Sequence, residues 1–231
     1  MTDRMFTRRK VLALLAGAAA SIGGAARVRA AQSAGVCVVR PRSIEGPYFV
    51  DTKLNRSDIR SDPKTGAMKQ GALLRLTFRV SQMDDGRCFP LQGAQVDVWH
   101  CDADGLYSDT KDWQASTVGQ QFLRGWQLTD RRGIASFTTI YPGWYPNRAV
   151  HIHFKVRTNP QEKSTREFTS QIYFDDELTD DVHKQPAYRD HGVRKVRNNR
   201  DVLFLFRGDR LVLPVREDKK GYAGTFDIAL E

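Results

Sequence analysis

Tyr145, Arg148, His151 and His153 fall within nine residues of one another: a phenol, a guanidinium and two imidazoles. From His151 onward the stretch reads as a strand, with Ile152, Phe154 and Val156 apolar and His151, His153 and Lys155 between them. Strand residues i and i+2 share a face, so the two histidines point the same way, with Cα atoms about 6–7 Å apart. Two imidazoles at that spacing can converge on one metal ion; alone, the pair suits zinc, copper, iron or none. The plain alternative for Arg148 is a surface charge, since alternation does not itself bring it to the pair.

Two tyrosines narrow the chemistry. Tyr107 follows a strand and an Asp104-Gly105 turn, where a side chain can reach over the end of a sheet. Tyr145 lies between Gly143 and Pro146. Each could instead be a core ring with its hydroxyl at the surface. As ligands, phenolates are hard anionic donors suited to a hard trivalent ion. His100, His183 and His191 have simpler readings: a hydrogen bond at the core edge for the first, a solvated loop for the others.

The elements around these residues are short strands between turn signals. Leu74, Leu76, Phe78 and Val80 alternate with polar neighbours, and Asp84-Asp85-Gly86 turns the chain. Ala94 to His100 and Gly133 to Ile140 give further strands, with others expected at 170–174, 202–206, 211–215 and 225–230. The pattern predicts a mainly β fold, an antiparallel β-sandwich with long connecting loops. Residues 31–72 read as an irregular segment of the same unit and 73–231 as the sandwich domain. Residues 175–200 read as a long loop with a helical turn, over one end of the sandwich.

The chain of 231 residues carries +9, of which residues 1–30 account for +5, leaving +4. That balance does not call for nucleic acid, and Arg194-Lys195-Val196-Arg197 reads as a solvated face. Residues 1–30 have the three-part layout of a secretory signal: Arg8-Arg9-Lys10, an apolar run from Val11 to Ala26, and Val28-Arg29-Ala30 at the end. The paired arginines resemble a twin-arginine export signal, a route for folded proteins that carry a cofactor. The expected location is the periplasm or the extracellular space, with no stable membrane insertion once the signal is removed. Export permits a disulfide. Cys88 and Cys101 flank an expected hairpin and form the favoured pair, whose short loop would contribute about 3 kcal/mol in the chain-entropy model. Cys37 is then left over, and pairings that include it stay open.

Several stretches together resemble the intradiol ring-cleavage dioxygenases, in particular their secreted branch. They are Gly46-Pro47-Tyr48-Phe49, Val96 to Ser108, Phe122-Leu123-Arg124-Gly125, Thr139 to Tyr145, Asn147-Arg148 with His151-Ile152-His153, and Thr169 to Phe174. The likeness runs over most of residues 37–206. It implies a non-haem Fe(3+) held by Tyr107, Tyr145, His151 and His153. It implies Tyr145 as ligand and base, Arg148 over the bound ring, and Gln171 in the same pocket. The implied reaction opens a catechol-type diol with O2 to a cis,cis-muconate, with no external reductant. Catechol, alkyl- or chlorocatechols, hydroxyquinol and protocatechuate all stay open as substrates. No long helical pattern precedes residue 70, so the dimerisation of the catechol 1,2-dioxygenase branch is not expected, while another homo-oligomer stays open. The rival reading is an exported, non-catalytic β-sandwich whose histidine pair binds another metal or ligand.

Overall fold

The computed structural model describes residues 37–111, 115–160 and 165–231. The expected export signal lies outside them. Nine strands follow in chain order: β1 (Leu73–Asp84), β2 (Arg87–Pro90), β3 (Gln95–Trp99), β4 (Arg124–Leu128), β5 (Ile134–Ile140), β6 (His151–Arg157), β7 (Glu167–Tyr173), β8 (Val215–Asp218) and β9 (Gly221–Leu230). They form two sheets. In the first, the order is β2-β1-β9-β8, with β5 also on β1; in the second it is β4-β3-β6-β7. Every strand pairing is antiparallel except β1 with β9, which is parallel.

The sheets face each other through the apolar halves of alternating strands. Phe78 of β1 meets Phe154 of β6 at 5.2 Å between ring centroids, and Phe154 meets Phe226 of β9 at 5.4 Å. The expected mainly β sandwich is therefore the observed architecture.

The outer face of the second sheet is covered as well. The segment before β1 runs across it, with Ser43 N–H donating to Thr169 O at 3.1 Å and Arg56 N–H to Trp126 O at 3.1 Å. Phe49 packs on Trp99 at 4.8 Å, and the Lys155 ammonium sits 4.2 Å from the Phe49 ring. That cover explains why β6 is buried on both faces from His151 to Val156, although its alternation reads as half-exposed.

Four expectations are corrected. Residues 202–206 are not a strand: after helices α1 (Asp176–Val182) and α2 (Pro186–Arg189), Val202–Leu205 form a short helix, α3, because Asp201 accepts hydrogen bonds from Leu203 N and Phe204 N and caps it. In 211–215 the chain leaves a 3-10 turn at Gly208–Leu211 and is a strand only from Val215. The disulfide joins Cys37 to Cys88, with Cα atoms 5.4 Å apart. Cys101 is a buried free thiol whose Sγ faces Gly143 O at 3.5 Å. Arg194 is not solvated. It is buried against Asp176 and Asp180 of α1, while Arg197, half exposed, pairs with Asp180 at 2.9 Å.

Candidate metal centre

Strand register assembles half of the site. Trp99 of β3 is opposite His153 of β6, His153 is opposite Gln171 of β7, and His151 is opposite Tyr173. Residues directly opposite share a face, so one row across the sheet carries Trp99, His153 and Gln171, and the next carries His151 and Tyr173. Gln171 thus lies on the histidine face and is fully buried, not on an outer surface.

Two loops supply the tyrosines, and glycines lock them together. Asp102 Oδ1 accepts from Asp104 N at 3.1 Å and Leu106 N at 2.9 Å, forming the turn that delivers Tyr107. Gly105 within it has φ +78°, and a Cβ there would stand 2.2 Å from Trp144 O. Gly143 donates its N–H to Asp102 O at 3.0 Å, and a Cβ on it would stand 2.3 Å from Ala103 O. Only glycines let the Tyr107 and Tyr145 loops approach this closely. The segment after β7 braces them from outside: His183 Nε2 donates to Pro142 O at 3.0 Å and His191 Nε2 to Trp144 O at 2.8 Å. Those two histidines therefore hold a loop in place, where solvated side chains were expected. His100 does serve the core edge, between Cys101 O and the Thr139 hydroxyl.

The result is a tight cluster of donors. His151 Nε2 lies 3.0 Å from His153 Nε2, 3.2 Å from the Tyr145 hydroxyl and 3.5 Å from the Tyr107 hydroxyl. His151 Nδ1 donates to Ala149 O at 2.7 Å, which leaves its Nε2 as a lone pair facing the cluster. Tyr48 stacks on Tyr107 at 4.4 Å and Trp99 lies against His153, closing the walls. Arg148 reaches in with Nη1 at 3.4 Å from both the Tyr145 hydroxyl and His151 Nε2. Its Nη2 donates to Gln171 Oε1 at 2.5 Å and to the Tyr173 hydroxyl at 3.2 Å.

Burial holds all four donors neutral. It raises the Tyr107 phenol, with the neighbouring Tyr145 adding to the rise. It also raises Tyr145, against the pull of Arg148. It lowers His151 and His153, and the Arg148 charge lowers both further. A cation at the centre would reverse this for the two tyrosines, favouring phenolate, and would keep the imidazoles unprotonated. Two nitrogen and two oxygen donors turned on one point fit a hard trivalent ion. Among the described residues no group of three or more His, Cys, Asp or Glu could hold a metal; the donors gathered here are two histidines and two tyrosines.

The structure brings together every residue singled out in the sequence: Tyr107, Tyr145, Arg148, His151, His153 and Gln171. It adds Tyr173, two residues along the strand from Gln171 and so on the same face, a relation that alternation already contains. It also adds Asp201, whose Oδ2 accepts from Arg148 Nε at 2.9 Å. The Asp-then-apolar start of a capped helix was its signal, hidden by reading 202–206 as a strand.

This sandwich is matched by known proteins. The family model described as Dioxygenase (Dioxygenase_C) matches residues 44–231. The solved intradiol ring-cleavage dioxygenase from Tetranychus urticae is similar at 27% identity and TM-score 0.73, over 84% of this chain and 94% of that one. A catechol 1,2-dioxygenase of Candida albicans is 37% identical over 135 residues, 49% of this chain and 41% of that protein. A chlorocatechol 1,2-dioxygenase of Pseudomonas putida is 30% identical over 151 residues, 58% of this chain and 53% of that protein. The chain thus spans about half the length of these two relatives. It belongs to the intradiol ring-cleavage dioxygenase family.

Proposed function

We propose that this protein cleaves a catechol-type diol between its two hydroxyl-bearing carbons with O2, giving a cis,cis-muconate-type product. The reading is carried by one observation: the hydroxyls of Tyr107 and Tyr145 and the Nε2 of His153 all lie within 3.5 Å of His151 Nε2. Those four side chains would hold Fe(3+). Bound there, the ion would act as a Lewis acid that takes the diol through both oxygens and draws electron density from its ring.

The chain's own residues do the rest. Tyr145 is the less enclosed of the two tyrosines, and its phenolate oxygen can accept a proton from the incoming diol. Arg148 keeps a positive charge 3.4 Å from that oxygen and stabilises negative charge that develops on the substrate. Gln171 and Tyr173 hold the Arg148 fork from the other side. Tyr48, Phe49 and Trp99 exclude water from the donors. Both atoms of O2 end in the product, so no reductant is required.

The test is the visible spectrum of the iron-loaded protein before and after catechol under argon. A broad tyrosinate band that moves to longer wavelength, then bleaches in air as muconate forms, is expected. A featureless spectrum from protein with stoichiometric iron removes the tyrosine ligands and leaves a histidine-pair binding protein.

We also infer export to the periplasm or beyond. Support comes from the paired arginines and apolar run of residues 8–26, and from the Cys37–Cys88 disulfide, a bond that lasts in oxidising compartments.

A further inference from the structure

Arg148 has one charged partner among the described residues. Its Nη atoms meet neutral groups: the Tyr145 and Tyr173 hydroxyls, His151 Nε2 and Gln171 Oε1. Its Nε donates to Asp201, whose carboxylate is completely buried. The same oxygen, Oδ2, accepts from Ala149 N at 2.8 Å. The other, Oδ1, accepts from Leu203 N at 2.8 Å and Phe204 N at 3.3 Å.

All four of these donors are N–H groups, and both carboxylate oxygens are in use. Oδ2 fixes the guanidinium at its Nε corner together with the backbone beside it, which leaves Nη1 facing the donor cluster and Nη2 on Gln171 and Tyr173. Oδ1 anchors α3, and α3 returns to the site through Phe204, whose ring meets Tyr173 edge-on at 5.0 Å. An ordinary cap uses one carboxylate oxygen and faces solvent. This one is buried and spends its second oxygen on the arginine of the site.

We propose that Asp201 is the positioning residue for Arg148, a buried counter-charge that, with Gln171 and Tyr173 holding Nη2, aims Nη1 at the Tyr145 hydroxyl and the substrate beside it. The assignment rests on the catechol-cleaving reading above. It predicts that an isosteric amide will not substitute: Asn offers one acceptor and one donor face, so either Arg148 or the cap of α3 meets an N–H in place of an oxygen.

The experiment compares the iron-loaded wild type, Asp201→Asn, Arg148→Lys and the double variant, with near-ultraviolet circular dichroism and iron content as checks on the fold and metal. Lysine keeps the charge of Arg148 and lacks Nε. Asp201→Asn is expected to lower kcat for catechol about 10²-fold, the scale of a small misplacement, with KM and iron content little changed. Added to Arg148→Lys, it is expected to cost less than about twofold more, because residues acting through one contact are not additive. Losses that multiply in the double variant, or a kcat that Asp201→Asn leaves intact, overturn the assignment. So does a loss of iron in Asp201→Asn.

A second readout needs no catalysis. The Arg148 Nε–H proton, identified in 15N-edited NMR by its absence from Arg148→Lys, is expected to exchange slowly with water in the wild type and faster in Asp201→Asn. That result in a protein that does not cleave catechol retains the positioning role and rejects the proposed reaction. Fast exchange in the wild type rejects the positioning role itself.

Discussion

The indole of Trp99 lies flat on the imidazole of His153, with centroids 5.1 Å apart and planes 6° from parallel. His153 Nδ1 makes no hydrogen bond among the described residues, and the ring's polar contact is at Nε2, 3.0 Å from His151 Nε2, so on the Nδ1 side the stack holds the ring's plane. Trp99→Ala removes the stack. The expected cost is about 3–5 kcal/mol of stability, together with weaker iron retention at temperatures where the variant is still folded. Thermal melts and iron per chain after dialysis against a chelator check both.

Tyr107→Phe separates the ligand from the ring. The phenyl keeps its place against Tyr48, so stability is expected to stay within about 1 kcal/mol of wild type. Iron content and the tyrosinate band are expected to fall sharply. Full iron with an unchanged band would show that the hydroxyl is not a ligand.

Gly143→Ala tests the junction of the two tyrosine loops. The added methyl meets Ala103 O and Asp102 O, both backbone atoms of the Tyr107 turn. Overpacking of this kind costs about 1–3 kcal/mol. The loops are expected to part, with a loss of catechol cleavage larger than the loss of stability implies. Activity measured well below the variant's melting temperature is the check.

The disulfide has a chemical signature. The chain has three cysteines, and Cys37 is bonded to Cys88. Denatured, unreduced protein should therefore titrate one thiol, and that thiol should map to Cys101. With a sequence separation of 51 between the partners, Cys88→Ala is expected to cost about 4 kcal/mol in the chain-entropy model. A disulfide peptide joining Cys88 to Cys101, with the free thiol at Cys37, would restore the other pairing.

Stability should depend on pH through His100. Burial lowers its imidazole from 6.5 to about 4. The unfolded chain therefore binds a proton there at a higher pH than the folded one, and stability is lost as pH falls from 6.5 towards 4. Asp97, raised by burial to about 6, slopes the other way. The quantity to read is thus the difference between wild type and His100→Gln in urea midpoints, which should shrink as the pH drops through that window.

Much of this was legible in the sequence because it was periodic. The alternation around Phe78 and around Phe154 announced strands, and the same alternation set His151 and His153 on one face. What escaped was governed by contacts distant in the chain. Nothing local says that Cys37 returns to Cys88, since Asp84–Arg87 must first fold β2 back on β1. The run Val202 to Phe206 has strand composition and becomes a helix because Asp201 caps it. Arg194 looks solvated until α1 presents Asp176 and Asp180 to it.

The parallel pairing of β1 with β9 bears on how the protein is made. Leu74 is matched to Tyr222 and Gln82 to Leu230, so each contact spans well over half of the chain. A ribosome that has emitted every residue of the donor cluster has supplied β2 and β5 beside β1 but not β9, the strand along its other edge. Until it does, one long edge of β1 stays available to other nascent chains, the kind of surface on which aggregation starts and which chaperones occupy. Maturation of this protein therefore waits on its final strand, and a translation-arrested chain stopped before Tyr222 should stay bound to chaperones.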